Sequence, residues 1–283
     1  MEHFFIITNK SKDPELEATN RVCEFLKQNG ATCTIFDADI TSEKYEVTGK
    51  LNIPEDAECC IVLGGDGTML QAARCVFERD IPILGINLGT IGYLAEVEMA
   101  DLESALAKLL NDEFEIEQRM MLKGVLKTEG NPNLVNYALN DIVIARCSSL
   151  KVHNFNIYVN DMLLTSYQAD GIIISSPTGS TAYNMSAGGP IVDPKAQILL
   201  LTPICPHNLN KSTIVLSEHD RITVEIGKGR AGASQKLEVS LDGGSGRYMV
   251  SGDRVDITAA DKVTRIVKLR SESFLNTLRK KLV

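Results

Sequence analysis

The sequence predicts two domains: an α/β N-terminal domain with a doubly wound, largely parallel sheet, then a β-rich C-terminal domain. The first observation behind this is that strand and helix patterns alternate over the first hundred residues, the mark of a parallel sheet with helices packed on it. The second is a change of texture near residue 100, after which β patterns dominate. The third is an amphipathic pattern at the end of the chain, read as a C-terminal helix returning to the first domain. The expected limits are 1–100, joined by 266–283, for the α/β domain and 101–265 for the β-rich one.

In chain order, FFIIT (4–8) is a short apolar run and reads as the first strand. Residues 13–29 place Ala18, Val22, Phe25 and Leu26 on one helical face, and Gly30 supplies a stop. TCTIF (32–36) and CCIVL (59–63) are apolar enough for strands buried on both faces. Met69, Ala72, Ala73, Val76 and Phe77 then repeat at helical spacing, and Pro82 leads into the strand ILGI (83–86). DLESALAKLL (101–110) reads as a helix with Leu102, Ala105, Leu106 and Leu109 on one face and Asp101 as its cap, followed by an acidic linker, NDEFEIEQ (111–118). MLKGVLK, YALNDIVIA, FNIYV, DGIIISS, RITVEI, KLEVSL and YMVSG read as strands, with turns at Asn160-Asp161 and Asp242-Gly243-Gly244. TRIVKL (264–269) is the last strand pattern, and Phe274, Leu275 and Leu278 mark one side of a closing helix with a basic end.

Composition narrows the function classes. The chain has 283 residues, 44% of them apolar and 23% charged, as in an ordinary globular protein able to bury a sizeable core. A net charge of −8 argues against non-specific binding to nucleic acid or to an anionic membrane. No apolar run approaches the roughly 20 residues of a membrane span, and the acidic start MEHFF lacks the basic region of a signal peptide. The expected location is the cytoplasm. Seven cysteines without a C-x-x-C pair read as buried reduced thiols, and four scattered histidines show no metal-ligand spacing.

Two stretches carry chemistry. CCIVL-GGDGT-MLQAAR is a strand, a glycine turn and a helix, in which free N–H groups at the helix start attract an anion. Its spelling is neither of the two common phosphate-loop patterns, and no lysine follows it to neutralise phosphate. A carboxylate, Asp66, stands in the turn instead, where it would repel a phosphate unless it binds a metal or takes a proton from an attacking hydroxyl; kinase chemistry uses both. The second stretch is DGIIISSPTGSTAYNMSAGGPIVDP (170–194), whose hydroxyls, backbone amides and Tyr183 ring suit a ribose and a purine. Asn140-Asp141, inside an apolar context, is either a turn or a hydroxyl-recognising pair.

These pieces together resemble the NAD kinase family, through LGGDGTML (63–70), GINLGTIGYL (85–94), ALNDIVI (138–144), the 170–192 block and LTPICPHNL (201–209). GGDGT alone is shared with lipid kinases, whereas GGDGT followed by the 170–192 block is specific. The resemblance implies transfer of the γ-phosphoryl of ATP to the 2′-hydroxyl of the adenosine ribose of NAD, giving NADP. It implies Asp66 as the general base or as the group that orients the 2′-hydroxyl, with Gly64, Gly65, Gly67 and Thr68 around the phosphates. It implies Asn140 and Asp141 as the pair holding the acceptor, and Asp170, Thr178, Thr181, Ala182, Tyr183 and Ser186 as lining the NAD pocket. Tyr93 stands where phenylalanine is common, Asp141 where glutamate is commoner, and Gln168 where many members are basic; Lys151 occupies a variable site that the resemblance implies to be near the NAD phosphates. Gly244 replaces a frequent glutamine, and the LTPICPHNL block with His207 is expected to support packing and subunit contact. Mg²⁺ would accompany ATP, polyphosphate is an alternative donor and NADH an alternative acceptor. The first domain would then bind nucleotide, and the β-rich domain would bind NAD and form a homo-oligomer, tetramer or dimer. Nucleic-acid and membrane partners are not expected. The alternatives are an NAD-binding sensor without turnover and a GGDGT lipid kinase.

Overall fold

The computed structural model describes residues 1–36, 51–89, 92–147, 152–207, 211–269 and 274–282. The chain divides into two compact units, Met1–Arg119 with Val263–Val283, and Met120–Lys262. In the first, β1 (His3–Thr8), β2 (Thr32–Ile35), β3 (Cys59–Gly64) and β4 (Ile83–Asn87) pair in parallel in the order β2-β1-β3-β4. The short β5 (Val97–Glu98) continues the parallel pairing beside β4. Among the described residues the helices α1 (Glu17–Gln28), α2 (Asp66–Val76) and α3 (Leu102–Leu110) accompany the sheet.

β3 is buried at every position, as a continuous apolar run requires when both faces are covered. Alternation sorts its side chains. Cys59, Ile61 and Leu63 share one core with Val22 and Leu26 of α1 and Leu102, Leu106 and Leu109 of α3. On the opposite face α2 approaches β4 so closely that a Cβ on Gly85 would stand 2.8 Å from the Met69 sulfur. Helices therefore cover both faces of a parallel sheet, the doubly wound arrangement.

The structure corrects several expectations. β2 is exposed or half-buried throughout because it is the edge strand, not a strand buried on both faces. The boundary at residue 100 moves: α3 belongs to the first unit, its apolar face lying in that unit's core. The acidic linker is already structured, with β6 (Glu115–Lys127) starting inside it. Asp101 occupies the N-cap position of α3 without a side-chain cap bond. In the closing helix Leu275 is exposed rather than packed, and Cys205 is an exposed thiol.

The second unit is built from two antiparallel sheets. Its strands are most of β6, then β7 (Leu134–Ala138), β8 (Asp141–Arg146), β9 (His153–Val159), β10 (Met162–Ala169), β11 (Gly171–Ser175) and β12 (Ile198–Ile204). They continue with β13 (Ile214–Ser217), β14 (Ile222–Ile226), β15 (Lys236–Leu241), β16 (Arg247–Val250) and the first part of β17 (Arg254–Lys268). One sheet has the order β13-β12-β11-β8-β15-β16, and the other contains β10-β9-β14-β17. Alternate residues from both, among them Ile142, Ile144, Ile172 and Ile174 against Phe155, Ile157, Ile222 and Val224, form a single core. The expected YALNDIVIA strand is two strands, β7 and β8, interrupted at Leu139-Asn140. Asn160 and Asp161 both adopt positive φ (50° and 66°), the geometry of a two-residue hairpin between β9 and β10. No described helix is long and apolar enough to cross a membrane.

Leu106 is fully buried between α3 and the first sheet. Leu106→Ala is expected to cost about 2–5 kcal/mol, read as a lower urea midpoint. A loss below roughly 1 kcal/mol would contradict the place of α3 in the first core.

Candidate active site

In the first unit the sequence turns sharply after β3. Gly64 ends the strand opposite Asn87 of β4, Gly65 caps α2 in an extended conformation, and Asp66 is the first helical residue. The Asp66 carboxylate reaches the segment that follows β4. Its Oδ2 accepts the Tyr93 N–H at 2.8 Å and its Oδ1 accepts the Leu94 N–H at 3.0 Å. The two bonds fix the orientation of the group and leave acceptor capacity on each oxygen. Glycine at position 92 makes this approach possible, because any Cβ there would collide with the carboxylate. Gly67 leaves its side of the turn open: apart from its own helix and chain neighbours, no atom of the described residues lies within 4 Å of where a Cβ would stand. Thr68 points inward at 3% exposure, its hydroxyl accepting the Asn9 amide at 3.1 Å. The Tyr93 ring has the Lys281 ammonium, from α5 (Phe274–Leu282), 5.4 Å from its centroid, and partial burial followed by the Asp66 charge pushes its phenol up. α4 (Tyr183–Ser186) belongs to the second unit.

There, two stretches far apart in sequence form one structure. The Asn140 carbonyl accepts the Ser176 N–H at 2.9 Å and the Ser175 hydroxyl at 3.3 Å. Gly179 lies so close to the Asn140 backbone that a Cβ would overlap it. The Asn140-Asp141 turn is thereby joined to the turn Thr178–Thr181 and to Ala182, which leads into α4. A third segment holds the turn from behind: the Asp242 carboxylate accepts the N–H groups of Leu139, Asn140 and Asp141 at 2.8, 2.7 and 3.3 Å. Asp141 is 4% exposed, and burial first, then the Asp242 charge, raises its carboxyl from 3.8 to about 7.

The hydroxyl-rich block divides its labour. Ser176 donates to the Leu139 carbonyl, and Ser180 both donates to the Val192 carbonyl and accepts its N–H. Buried Asn184 ties the Ser180 and Pro190 carbonyls to Thr202. These side chains fix the loop. Thr178 is buried, Thr181 and Ala182 are half-buried, and Tyr183 and Ser186 are exposed. Asp170 sits at the other end of the β8–β11 pair, 3.4 Å from Arg146, and Gln168 is exposed on β10 with its carbonyl accepting the His207 N–H. The structure does not bring these two to Asp141, since Ser175 stands opposite Asp141 while Gly171 stands opposite Ala145. Lys151, like Thr90 and Ile91 of the GINLGTIGYL stretch, lies outside the described residues.

Two family models match this chain: the ATP-NAD kinase N-terminal domain over residues 4–114 and the ATP-NAD kinase C-terminal domain over residues 139–269. The chain belongs to the NAD kinase family. It is 42% identical to an NAD kinase of Lachnospira eligens, covering 100% of both chains, and 43% identical to one of Agathobacter rectalis, covering 100% of this chain and 99% of that one. The fold is shared with yeast NADH kinase complexed with NADH (TM-score 0.86, 24% identity, 100% of this chain and 87% of that one). It is shared also with an NAD kinase from Archaeoglobus fulgidus in complex with ATP (TM-score 0.76, 24% identity, 99% and 98%).

The sequence reading of this NAD kinase fold missed four residues at these sites. Gly92 lies within a quoted motif, but its need appears only once the Asp66 carboxylate is placed beside it. Asp242 reads locally as a turn residue, yet its carboxylate organises a segment a hundred residues earlier. Asn9 and Lys12 follow the first strand in ITNKSKD, where their position beyond the C-terminal end of a parallel strand was the available signal.

The raised Asp141 carboxyl has a stability consequence. It binds its proton more tightly folded than unfolded, so stability falls as pH rises from near 4 to about 7. Asp141→Asn lacks this dependence and is expected to gain on the wild type across that window, by roughly 1–4 kcal/mol. Urea midpoints of both proteins at pH 5 and pH 8 measure it; a difference that does not widen with pH would count against the raised carboxyl.

Proposed function

We propose that this protein transfers the γ-phosphoryl of ATP to the 2′-hydroxyl of the adenosine ribose of NAD, giving NADP and ADP. The observation that carries the reading is the Asp66 carboxylate, held by two backbone N–H groups at the mouth of a glycine turn and a helix N-terminus. In the reaction the 2′-oxygen forms a bond to the γ-phosphorus as its proton passes to Asp66. The bond from the γ-phosphorus to the β,γ-bridging oxygen breaks, and ADP leaves with that electron pair. Gly64, Gly65, Gly67 and Thr68 frame the phosphates, and open space beside Gly67 supports this. Asn140 and Asp141 hold the acceptor nucleotide, which Thr178, Thr181, Ala182, Tyr183 and Ser186 also line; Asp170 and Gln168 contact it away from Asp141, Lys151 contributes to its binding, and Tyr93 serves nucleotide binding in the first unit. The rigid junction of the 140–141 and 178–182 turns supports this.

Mg²⁺ is part of the ATP substrate, whose charge it neutralises. Among the described residues no group of three His, Cys, Asp or Glu side chains is placed to hold a metal ion. The protein acts in the cytoplasm as a homo-oligomer, a tetramer or dimer. Support for assembly comes from the β9–β10 hairpin, which exposes Met162, Leu163 and Leu164 in succession.

Asp66→Asn is expected to lower kcat by roughly 10²–10⁴-fold, with NADP formation from Mg²⁺-ATP and NAD followed by an NADP-specific dehydrogenase. Turnover near the wild-type rate would remove Asp66 from the mechanism. Leu163→Asp is expected to shift the protein to a smaller species in sedimentation; an unchanged sedimentation coefficient would show that the hairpin is not the contact.

A further inference from the structure

The glycine turn carries no lysine of its own, yet a cation stands over it. A Cβ built on Gly65 would lie 3.0 Å from the Lys12 Nζ, and one built on Gly89 would lie 3.5 Å from it. Lys12 comes from the loop after β1, more than fifty residues before the turn. The loop is anchored on both sides of it. The Asn9 N–H donates to the Leu63 carbonyl at 2.9 Å, and the Asn9 amide donates to Thr68. The Asn9 side-chain oxygen accepts the Ser11 N–H and hydroxyl at 3.0 and 2.6 Å, and its carbonyl accepts the Lys12 N–H at 2.9 Å. On the far side Asp13, 6% exposed, accepts the N–H groups of Ala18 and Thr19 and the Thr19 hydroxyl. Between these anchors the Lys12 ammonium makes no ion pair or hydrogen bond among the described residues.

We infer that Lys12 is the cation that binds the polyphosphate tail of the phosphoryl donor at the Gly64–Thr68 turn. This rests on the kinase reading above. A triphosphate brought to a helix N-terminus beside Asp66 meets a repelling carboxylate, and a point charge on a flexible stem beside the same turn offsets that repulsion. Lys12 takes no part in bond making. Its role is to hold negative phosphoryl oxygens where the turn's N–H groups also reach them, so it acts on the donor and not on the acceptor nucleotide. Any chain of three or more phosphates would satisfy it, whether ATP or inorganic polyphosphate.

The test compares Lys12→Gln and Lys12→Arg with the full-length wild type. Lys12→Gln is expected to lower kcat/KM for ATP by about 10–100-fold while KM for NAD stays within twofold, and Lys12→Arg should recover most of the loss. In a thermal-shift series without nucleotide, inorganic tripolyphosphate should raise the Tm of the wild type and fail to raise that of Lys12→Gln, whose unliganded Tm is unchanged. Overturning results would be a Lys12→Gln protein with kcat/KM for ATP within twofold of the wild type, equal losses for ATP and NAD, or undiminished tripolyphosphate stabilisation. A wild type that makes no NADP would count against the kinase reading alone, because the tripolyphosphate series still decides whether Lys12 binds a phosphate chain.

Discussion

The first unit depends on one carboxylate meeting two backbone N–H groups. Asp66 sits where α2 begins, and the bonds from Tyr93 and Leu94 draw the segment after β4 over the end of β3. Neighbouring details follow from that contact. Position 92 cannot carry a side chain, and the chain leaving β4 is held close enough that the Leu88 N–H bonds the Gly64 carbonyl at 2.8 Å. A carboxylate tied in this way cannot rotate freely. In the proposed reaction it would meet an incoming hydroxyl in one orientation, which is what alignment-dominated phosphoryl transfer requires.

The second unit uses the same device for a different end. Asp242 gathers three consecutive N–H groups and so shapes the turn that presents Asn140 and Asp141. Satisfying those donors brings a second carboxylate close to Asp141, which is nearly sealed from solvent. Desolvation and like charge then act in the same direction on Asp141. In the first unit the anchoring carboxylate is also the one proposed to react; in the second, Asp242 anchors the turn and the proposed recognition falls to its neighbour Asp141. Ser175, Ser176 and Gly179 add a further grip on Asn140 from the other side of the second turn.

Much of this was legible where the signal is local. The run CCIVL, the glycine turn and the helical spacing from Met69 to Val76 define β3 and α2 because burial on two faces and helical periodicity both act within a few residues. What the sequence hid depends on neighbours in space. TCTIF looks like a buried strand, but whether a strand lies at the edge is decided by which strands pair with it. The helix at 102–110 looks like the opening of a new domain because the texture changes around it, whereas its partner surface is the face of β1, β3 and β4 that also receives α1. The abundance of serine and threonine in 175–186 marks a special loop, yet it does not show that Ser176, Ser180 and Asn184 are turned inward to brace it.

Charge compensation shows the same limit in its sharpest form. A phosphate loop is usually judged by whether a lysine follows the glycines at a fixed offset, and by that rule this turn is deficient. The rule describes one way of delivering a cation, along the helix that begins at the turn. In a parallel sheet the C-terminal ends of all strands lie along one edge, so any loop leaving that edge can deliver it instead. Here β1 lies directly beside β3, and the Asn9 contacts to Leu63 and Thr68 bring the loop after β1 against the glycine turn. The distance in sequence between Lys12 and the turn is large, yet the Lys12 ammonium lies 3.0 Å from where a Cβ on Gly65 would stand. Topology, not spacing along the chain, therefore decides whether an acidic turn can accept an anion.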